Sequence, residues 1–250
     1  MAGKDTNIGA KRARDTRAAL GIDAAAPVGC VLTVVERDLG LPVVVAALPQ
    51  GIAGCCWREG GRTVLWVNGT QAAVRQRFTL AHELGHVHCR HDADLPVETF
   101  ATIGGKSRDS REVQANAFAA ELLAPADGVR ALLRGEPSLE DVVLIAARYG
   151  ISAIAALYRL NSLGLTGRYE VLKRELADGL HESLWQWVAP EAVVDAISAL
   201  DAASLPRLSP VLRRSALAGV AGGSVSVADA AASAGCDPER LASGAAAIGV

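Results

Sequence analysis

The sequence predicts an α+β protein: a mainly helical chain with one small antiparallel sheet in its first third, closed by a helical C-terminal segment. Three observations predict it. The chain is 50% hydrophobic but only 4% aromatic, so its core is built from alanine, leucine and valine, the composition of closely packed helices. Runs rich in β-branched residues are confined to residues 41–68. Beyond residue 70, apolar positions recur at steps of three and four, the period of an α-helix with one buried face. At 250 residues the chain is long enough for a sizeable core in one or two domains.

Residues 8–21 carry Lys11, Arg12, Arg14 and Arg17 and read as an exposed amphipathic helix with a solvated basic face, stopped at Gly21. Val28–Val35, with Glu36, Arg37 and a stop at Gly40, predict a helix over 28–38. Leu41–Leu48 reads as a strand. Ile52–Arg58 and Thr63–Asn68 read as two more, joined by a turn at 59–62 that would set Trp57 opposite Trp66. Helical periodicity resumes from Gln71 to about Cys89. Residues 91–108 read as loops, bordering whatever site lies nearby. Asp109–Leu123 is helical and ends before Pro125. Ser138 caps a helix running to Tyr149-Gly150, and Ser152 starts another that stops at Gly164; helix, glycine turn, helix is a helix-turn-helix-like shape over 138–164. Its second helix carries Arg159 alone as a basic residue, so packing on the core is expected rather than DNA reading. From Tyr169 a separate helical segment is expected, with helices over about 169–188, 190–200 and 210–220, and a capping pair at Ser226 and Asp229.

Composition also excludes some function classes. A net charge of −2 gives no general electrostatic footprint for nucleic acid. Cys30, Cys55, Cys56, Cys89 and Cys236 are odd in number and irregular in spacing, which fits neither a disulfide framework nor a zinc ribbon; reduced, buried thiols are expected. The hydrophilic first residues lack a signal-peptide core, and no run of 18 apolar residues exists, so a cytoplasmic, membrane-free protein is expected.

The chemistry concentrates in Arg77–Asp92, RFTLAHELGHVHCRHD, which contains an HExxH motif. Residues four apart share a helix face, so His82 and His86 can point at one metal ion, with Glu83 beside them to act on a metal-activated water. A catalytic zinc takes a third protein ligand and leaves one position open. The metzincin spacing fails, because Cys89 and Asp92 stand where glycine and histidine are needed. A glutamate from a following helix is the alternative, and Glu112 fits best; Glu121 is the rival, deeper in its helix and better read as a surface or packing residue. Asn116, one turn after Glu112, is placed to hydrogen-bond a ligand histidine and fix its tautomer. Gly85 costs its helix about 1 kcal/mol against alanine, so another element is expected to approach the helix there. His88 and His91 read as surface histidines rather than ligands, and Cys89 as a small buried residue. His88, His91, His181 and Tyr149 are the candidates for stabilising an oxyanion.

The stretches RFTLAHELGH (77–86) and EVQANAFAAELLAP (112–125) together resemble the ImmA/IrrE family of metallopeptidases, whose members pair an RFTxAHELGH helix with ExxANxFAAxLLMP. Ala124 stands where methionine is usual, a change of packing rather than of the site. The resemblance covers about residues 8–165. It implies a zincin-like metallopeptidase domain over 1–165, with 166–250 as a helical segment of separate role. It also implies a gluzincin-like site, with His82, His86 and Glu112 binding zinc (manganese able to replace it) and Glu83 as general base. By the same resemblance the expected substrate is a helix-turn-helix transcriptional repressor, cleaved to relieve repression under stress or in mobile elements. The competing expectation is a non-catalytic regulator that uses the same fold to bind DNA or a protein.

Overall fold

The computed structural model describes residues 2–59, 61–91, 98–99, 109–185 and 207–234, together with 238, 239 and 242. Its first element is the expected helix with Lys11, Arg12 and Arg14 exposed, but its other side is buried. Helix α1 (Ala2–Ala19) lies along a later helix, α4 (Ser110–Leu123), with Ala13 and Arg17 buried. The Arg17 guanidinium donates to the carbonyls of Leu122, Asp23 and Ala26. A fork of five donors can be buried when backbone carbonyls satisfy it, so a basic residue here acts as a clasp rather than as a solvated charge.

Residues 31–38 are helical as expected: α2 (Val31–Thr33) runs on into a π turn, Val34–Asp38, that ends before Gly40 at φ 67°. Strands β1 (Val43–Ala46), β2 (Ile52–Glu59) and β3 (Arg62–Asn68) follow. With β4 (Glu98–Thr99) and β5 (Arg207–Leu208) they form one sheet in the order β4-β2-β3-β1-β5. The α+β class stands, but the sheet is mixed rather than wholly antiparallel. The β2–β3 hairpin folds β3 into the slot between β2 and β1, and β3 then runs parallel to β1, Val43 beside Leu65. Val43–Val45 are accordingly all buried, the pattern of a strand covered on both faces. The hairpin register also corrects the tryptophan pair: Trp57 opposes Val64 and Trp66 opposes Cys55, so the two indoles are diagonal neighbours.

Helix α3 (Ala73–His88) packs on β2 and β3 with one side and on α4 with another. Arg77 at its start is buried and donates to the carbonyls of Val28 and Gly29, tying the helix to the chain before α2. Asp109 caps α4, its carboxylate accepting from the Arg111 amide. After α5 (Ala126–Leu132) comes the helix-turn-helix-like pair, α6 (Leu139–Tyr149) and α7 (Ala153–Ser162), bent by 106°. Ser138 and Asp141 form a reciprocal capping box, and Gly150 closes α6 in the left-handed region. The pair packs into the common core through Val142, Ile145, Ala146, Ala156, Leu157 and Leu160. Among the described residues no single helix is long and apolar enough to cross a membrane.

Helix α8 (Tyr169–Ala177) is shorter than its leucine spacing predicts, and a 3₁₀ turn at Glu182–Leu184 follows. Leu172 and Leu176 complete the main core, and β5 joins the sheet, so these parts of 166–250 pack on residues 1–165. Helices α9 (Pro210–Ala221) and α10 (Val227–Ala234) share a small cluster of Leu217, Val220, Ala230 and Ala231. The expected helix over 190–200 and most of the loop over 91–108 lie outside the described residues.

Candidate active site

The HExxH helix is held in place by α4 and by two residues of β2 before its ligand side chains are considered. Gly85 faces α4 so closely that a Cβ there would lie 3.0 Å from the Ala115 Cα and 3.1 Å from the Ala115 carbonyl oxygen. This is the close approach that a glycine inside a helix predicts. Arg58 of β2 donates to the carbonyls of His86 at 3.1 Å and His91 at 2.6 Å, placing a cation at the helix C-terminus where the macrodipole favours one. Gly54 of β2 sits under Glu83, with a virtual Cβ 3.0 Å from Glu83 Oε1.

On this scaffold His82, His86 and Glu112 converge. His82 Nε2 is 3.0 Å from His86 Nε2 and 3.3 Å from Glu112 Oε2, and His86 Nε2 is 3.6 Å from Glu112 Oε1. All three side chains are buried, as is Glu83. Asn116 Oδ1 lies 3.1 Å from His82 Nδ1. An amide oxygen only accepts, so His82 Nδ1 carries the hydrogen and Nε2 turns a lone pair toward Glu112. Burial, reinforced by the neighbouring His82 and His91, pushes His86 down to about 2, so this imidazole is neutral and its closeness to Glu112 is not an ion pair.

Two imidazole nitrogens and a carboxylate facing one another form a donor set suited to a divalent cation. The edges of a tetrahedral zinc site with ordinary bond lengths measure about 3.3–3.6 Å, and the 3.0 Å between the two Nε2 atoms, the 3.3 Å from His82 to Glu112 Oε2 and the 3.6 Å from His86 to Glu112 Oε1 are of that size. In size and donor chemistry the set therefore fits a metal ion. Among the described residues it is the one group of three histidine, cysteine or acidic side chains that converges in this way.

The other sequence candidates fall elsewhere. Glu121 is neither a ligand nor a surface residue. It is buried against the Arg159 guanidinium, with Arg14 3.4 Å from its other oxygen, and it locks α7 to α4 and α1. Tyr149 donates to the Ala25 carbonyl at 3.1 Å rather than facing the triad, and His181 lies beyond α8. His88 is wedged between Thr16, at 3.1 Å from its Nδ1, and the Phe118 ring. The four described cysteines are unbridged, and half-buried rather than buried.

His91 overturns its expected place on the surface. It is 7% exposed, and its Nδ1 is 2.9 Å from His86 Nδ1. The spacing of five residues from His86 is off the helix face, which is why periodicity misses it. The chain brings it back by a Schellman turn. The His91 amide donates to the His86 carbonyl at 3.1 Å and the Arg90 amide to Val87 at 3.1 Å, with Arg90 itself at φ 58°. A non-glycine residue in that region is the signal of such a return, and only the structure reveals it.

Comparison with known proteins agrees with the geometry. Residues 37–161, half of the chain and including α3 and α4, match the family described as the IrrE N-terminal-like domain of peptidase family M78. The chain is 34% identical over 110 residues to the radiation response metalloprotease IrrE of Deinococcus radiodurans, covering 42% of this chain and 34% of that protein. It is 36% identical over 99 residues to the radiation response metalloprotease IrrE of Deinococcus deserti, covering 39% of this chain and 35% of that protein. The matched stretch thus spans about a third of the length of these relatives. With its HExxH helix and its buried His82, His86 and Glu112 inside the matched region, the chain belongs to the M78 peptidases, the IrrE N-terminal-like metallopeptidase family.

Proposed function

We propose that this chain is a zinc-dependent endopeptidase in which His82, His86 and Glu112 hold the metal and Glu83 is the general base. The observation that carries the reading is the buried convergence of the three donor atoms, with Glu83 on the same helical turn as His82. When bound, the metal would polarise the scissile carbonyl and acidify a water. Glu83 would take the proton from that water and deliver it to the leaving amine. The supports of Glu83 suit a base that must stay aimed. It projects from a helix packed on the sheet and rests over Gly54, so its carboxylate is positioned by backbone on one side. Asn116 orients His82 by accepting from its Nδ1, which keeps Nε2 available as a ligand. Manganese would occupy the same donor set.

The substrate we propose is a helix-turn-helix transcriptional repressor, cleaved to relieve repression, in line with relatives named for radiation response. A cytoplasmic location accompanies that target. Direct DNA reading by α7, the second helix of the pair, finds no support. Arg159, the one basic residue of α7, is buried and donates to the Ala124 carbonyl at 2.8 Å and to Glu121. The test is incubation of the zinc-loaded or manganese-loaded protein with a repressor encoded beside it, in parallel with Glu83→Gln. Wild type cleaves, and the variant is slower by a factor of at least about 100, the usual worth of a general base. Equal behaviour of the two would remove the peptidase reading and leave a non-catalytic regulator.

A further inference from the structure

We infer that Asp5, Gln114 and His91 form a hydrogen-bond relay that sets the tautomer of His86, and so act as positioning residues for the metal centre from three separate elements. The inference rests on the reading of His86 as a ligand and adds how that ligand is prepared.

The direction of each bond follows from the donor and acceptor inventory. Asp5, on α1, is a carboxylate and accepts. Gln114 Nε2 donates to Asp5 Oδ1 at 3.0 Å, and Ser110 Oγ donates to Asp5 Oδ2 at 3.0 Å. With its NH₂ committed to Asp5, Gln114 turns Oε1 toward His91 Nε2, 3.1 Å away. An amide oxygen only accepts, so His91 carries its hydrogen on Nε2 and leaves Nδ1 bare. His91 Nδ1 is 2.9 Å from His86 Nδ1, and a bare nitrogen there requires the hydrogen on His86 Nδ1. His86 Nε2 is then the lone-pair nitrogen, and it is the one facing His82 and Glu112. Four side chains therefore agree on one hydrogen pattern, and its end point is the form that a metal ligand needs.

The backbone is arranged for the same purpose. Arg90 adopts φ 58°, a conformation that costs a non-glycine residue about 1 kcal/mol or more. The turn it makes brings His91 back over His86 instead of letting the chain leave the helix. Arg58 fixes the carbonyls of both His86 and His91, so the two rings are held from one strand. The α1 helix supplies Asp5 because Gly9 lets it lie against the Gln114 carbonyl, where a Cβ would clash. The far end of the relay thus comes from a helix that the HExxH motif does not predict.

The test uses the full chain and three versions of it: wild type, Gln114→Leu, and the double variant Asp5→Asn with Gln114→Glu. In the double variant the carboxylate introduced at position 114 still accepts from His91 Nε2, and the amide introduced at position 5 donates where the Asp5 carboxylate accepts. Zinc affinity is read by competition with a chromophoric chelator, and the His86 tautomer by imidazole ¹⁵N shifts in the metal-free protein. The relay predicts a loss of about 10- to 100-fold in zinc affinity for Gln114→Leu, and recovery to within about threefold of wild type in the double variant. It also predicts an Nδ1–H His86 in wild type and a tautomer mixture in Gln114→Leu. If Gln114 only tethers α1 to α4, Gln114→Leu lowers stability but leaves affinity and tautomer unchanged, which overturns the relay. Should Gln114→Leu fail to fold, an Nε2–H His86 in wild type overturns it alone. If wild type binds no zinc, the metal-site reading fails, while the ¹⁵N shifts still decide the relay.

Discussion

Replacing Gly85 by alanine sets helix propensity against site geometry, and the structure gives the size of each. Alanine is favoured over glycine inside a helix by about 1 kcal/mol. The new Cβ would lie 3.0 Å from the Ala115 Cα, 3.1 Å from its carbonyl oxygen and 3.2 Å from the Phe118 Cβ. Carbon atoms settle at about 3.5–4.0 Å, so α4 must retreat by roughly 0.5 Å or α3 must tilt. Overpacking of this kind costs about 1–3 kcal/mol, and the metal-free variant is therefore expected within about 2 kcal/mol of wild type on the unstable side. The larger effect falls on the metal. Glu112 is one turn from Ala115 on the same helix, and its carboxylate meets His82 and His86 at 3.3 and 3.6 Å. Metal sites tolerate displacements of about 0.2 Å, so the retreat should weaken zinc by about tenfold or more, some 1.4 kcal/mol. Urea unfolding with and without zinc reads both quantities at once. At zinc 100 times the wild-type Kd, wild type gains about 2.7 kcal/mol and a tenfold weaker variant about 1.4 kcal/mol. A variant stabilised by about 1 kcal/mol with an undiminished zinc increment would refute the argument that this glycine sets the distance between the ligand helices.

Gly54→Ala would put a Cβ 2.6 Å from both the Thr79 Cγ2 and the Trp66 carbonyl oxygen and 3.0 Å from Glu83 Oε1; a loss of about 1–3 kcal/mol in denaturation and a fall in kcat larger than the change in KM are expected, and an unchanged kcat would count against Glu83 as base. Arg159→Met would leave the buried Glu121 with Arg14 at 3.4 Å and the Ala126 amide at 3.5 Å as its remaining partners, destabilising by about 3–5 kcal/mol, while removing both Arg159 and Glu121 together should restore most of that in the same urea assay. The metal-free protein should lose stability on mild acidification. Burial lowers both His86, to about 2, and His91, whereas each takes up a proton near 6.5 once unfolded. Stability is complete above about 6.5 and falls as pH drops from there toward the folded values, by about 1.4 kcal/mol per unit for each proton taken up on unfolding. Urea midpoints of chelator-treated protein that stay flat between about pH 7 and 5.5 would contradict this.

What the sequence disclosed and what it hid divide along physical lines. Caps and periodicity act locally, so Ser138 with Asp141, Gly150 and the apolar steps of α3 and α4 could be read directly. The convergence of His82 and His86 follows from helix geometry, and that of Glu112 from the helix that follows in sequence. Strand direction is not local. The run Val43–Ala46 looks the same beside a parallel or an antiparallel neighbour, although its unbroken valines hint at burial on both faces. Charge misleads at Arg17 and Glu121 because burial of a charged group depends on partners distant in sequence: the Leu122 carbonyl for one, Arg159 for the other. His91 is hidden for a third reason. Its position is set by a left-handed residue after the helix ends, and helical spacing says nothing about residues beyond a cap.

The glycines explain how so aromatic-poor a chain fixes the helix that carries Glu112 and Asn116. Helix α4 is gripped at two successive residues: at Gln114 by α1 through Gly9, and at Ala115 by α3 through Gly85. In both places backbone meets backbone, with no rotamer to yield, so α4 can neither slide nor roll without a clash. Those two residues sit between Glu112 and Asn116, the groups that reach His82 and His86, and Gln114 itself reaches His91. A core of large side chains could accommodate a small shift by changing rotamers; this one transmits it to the donor atoms. It follows that enlarging Gly85 should harm metal binding more than trimming a core leucine of equal stability cost, because its contact lies between the two ligand-bearing helices and helps to fix their separation.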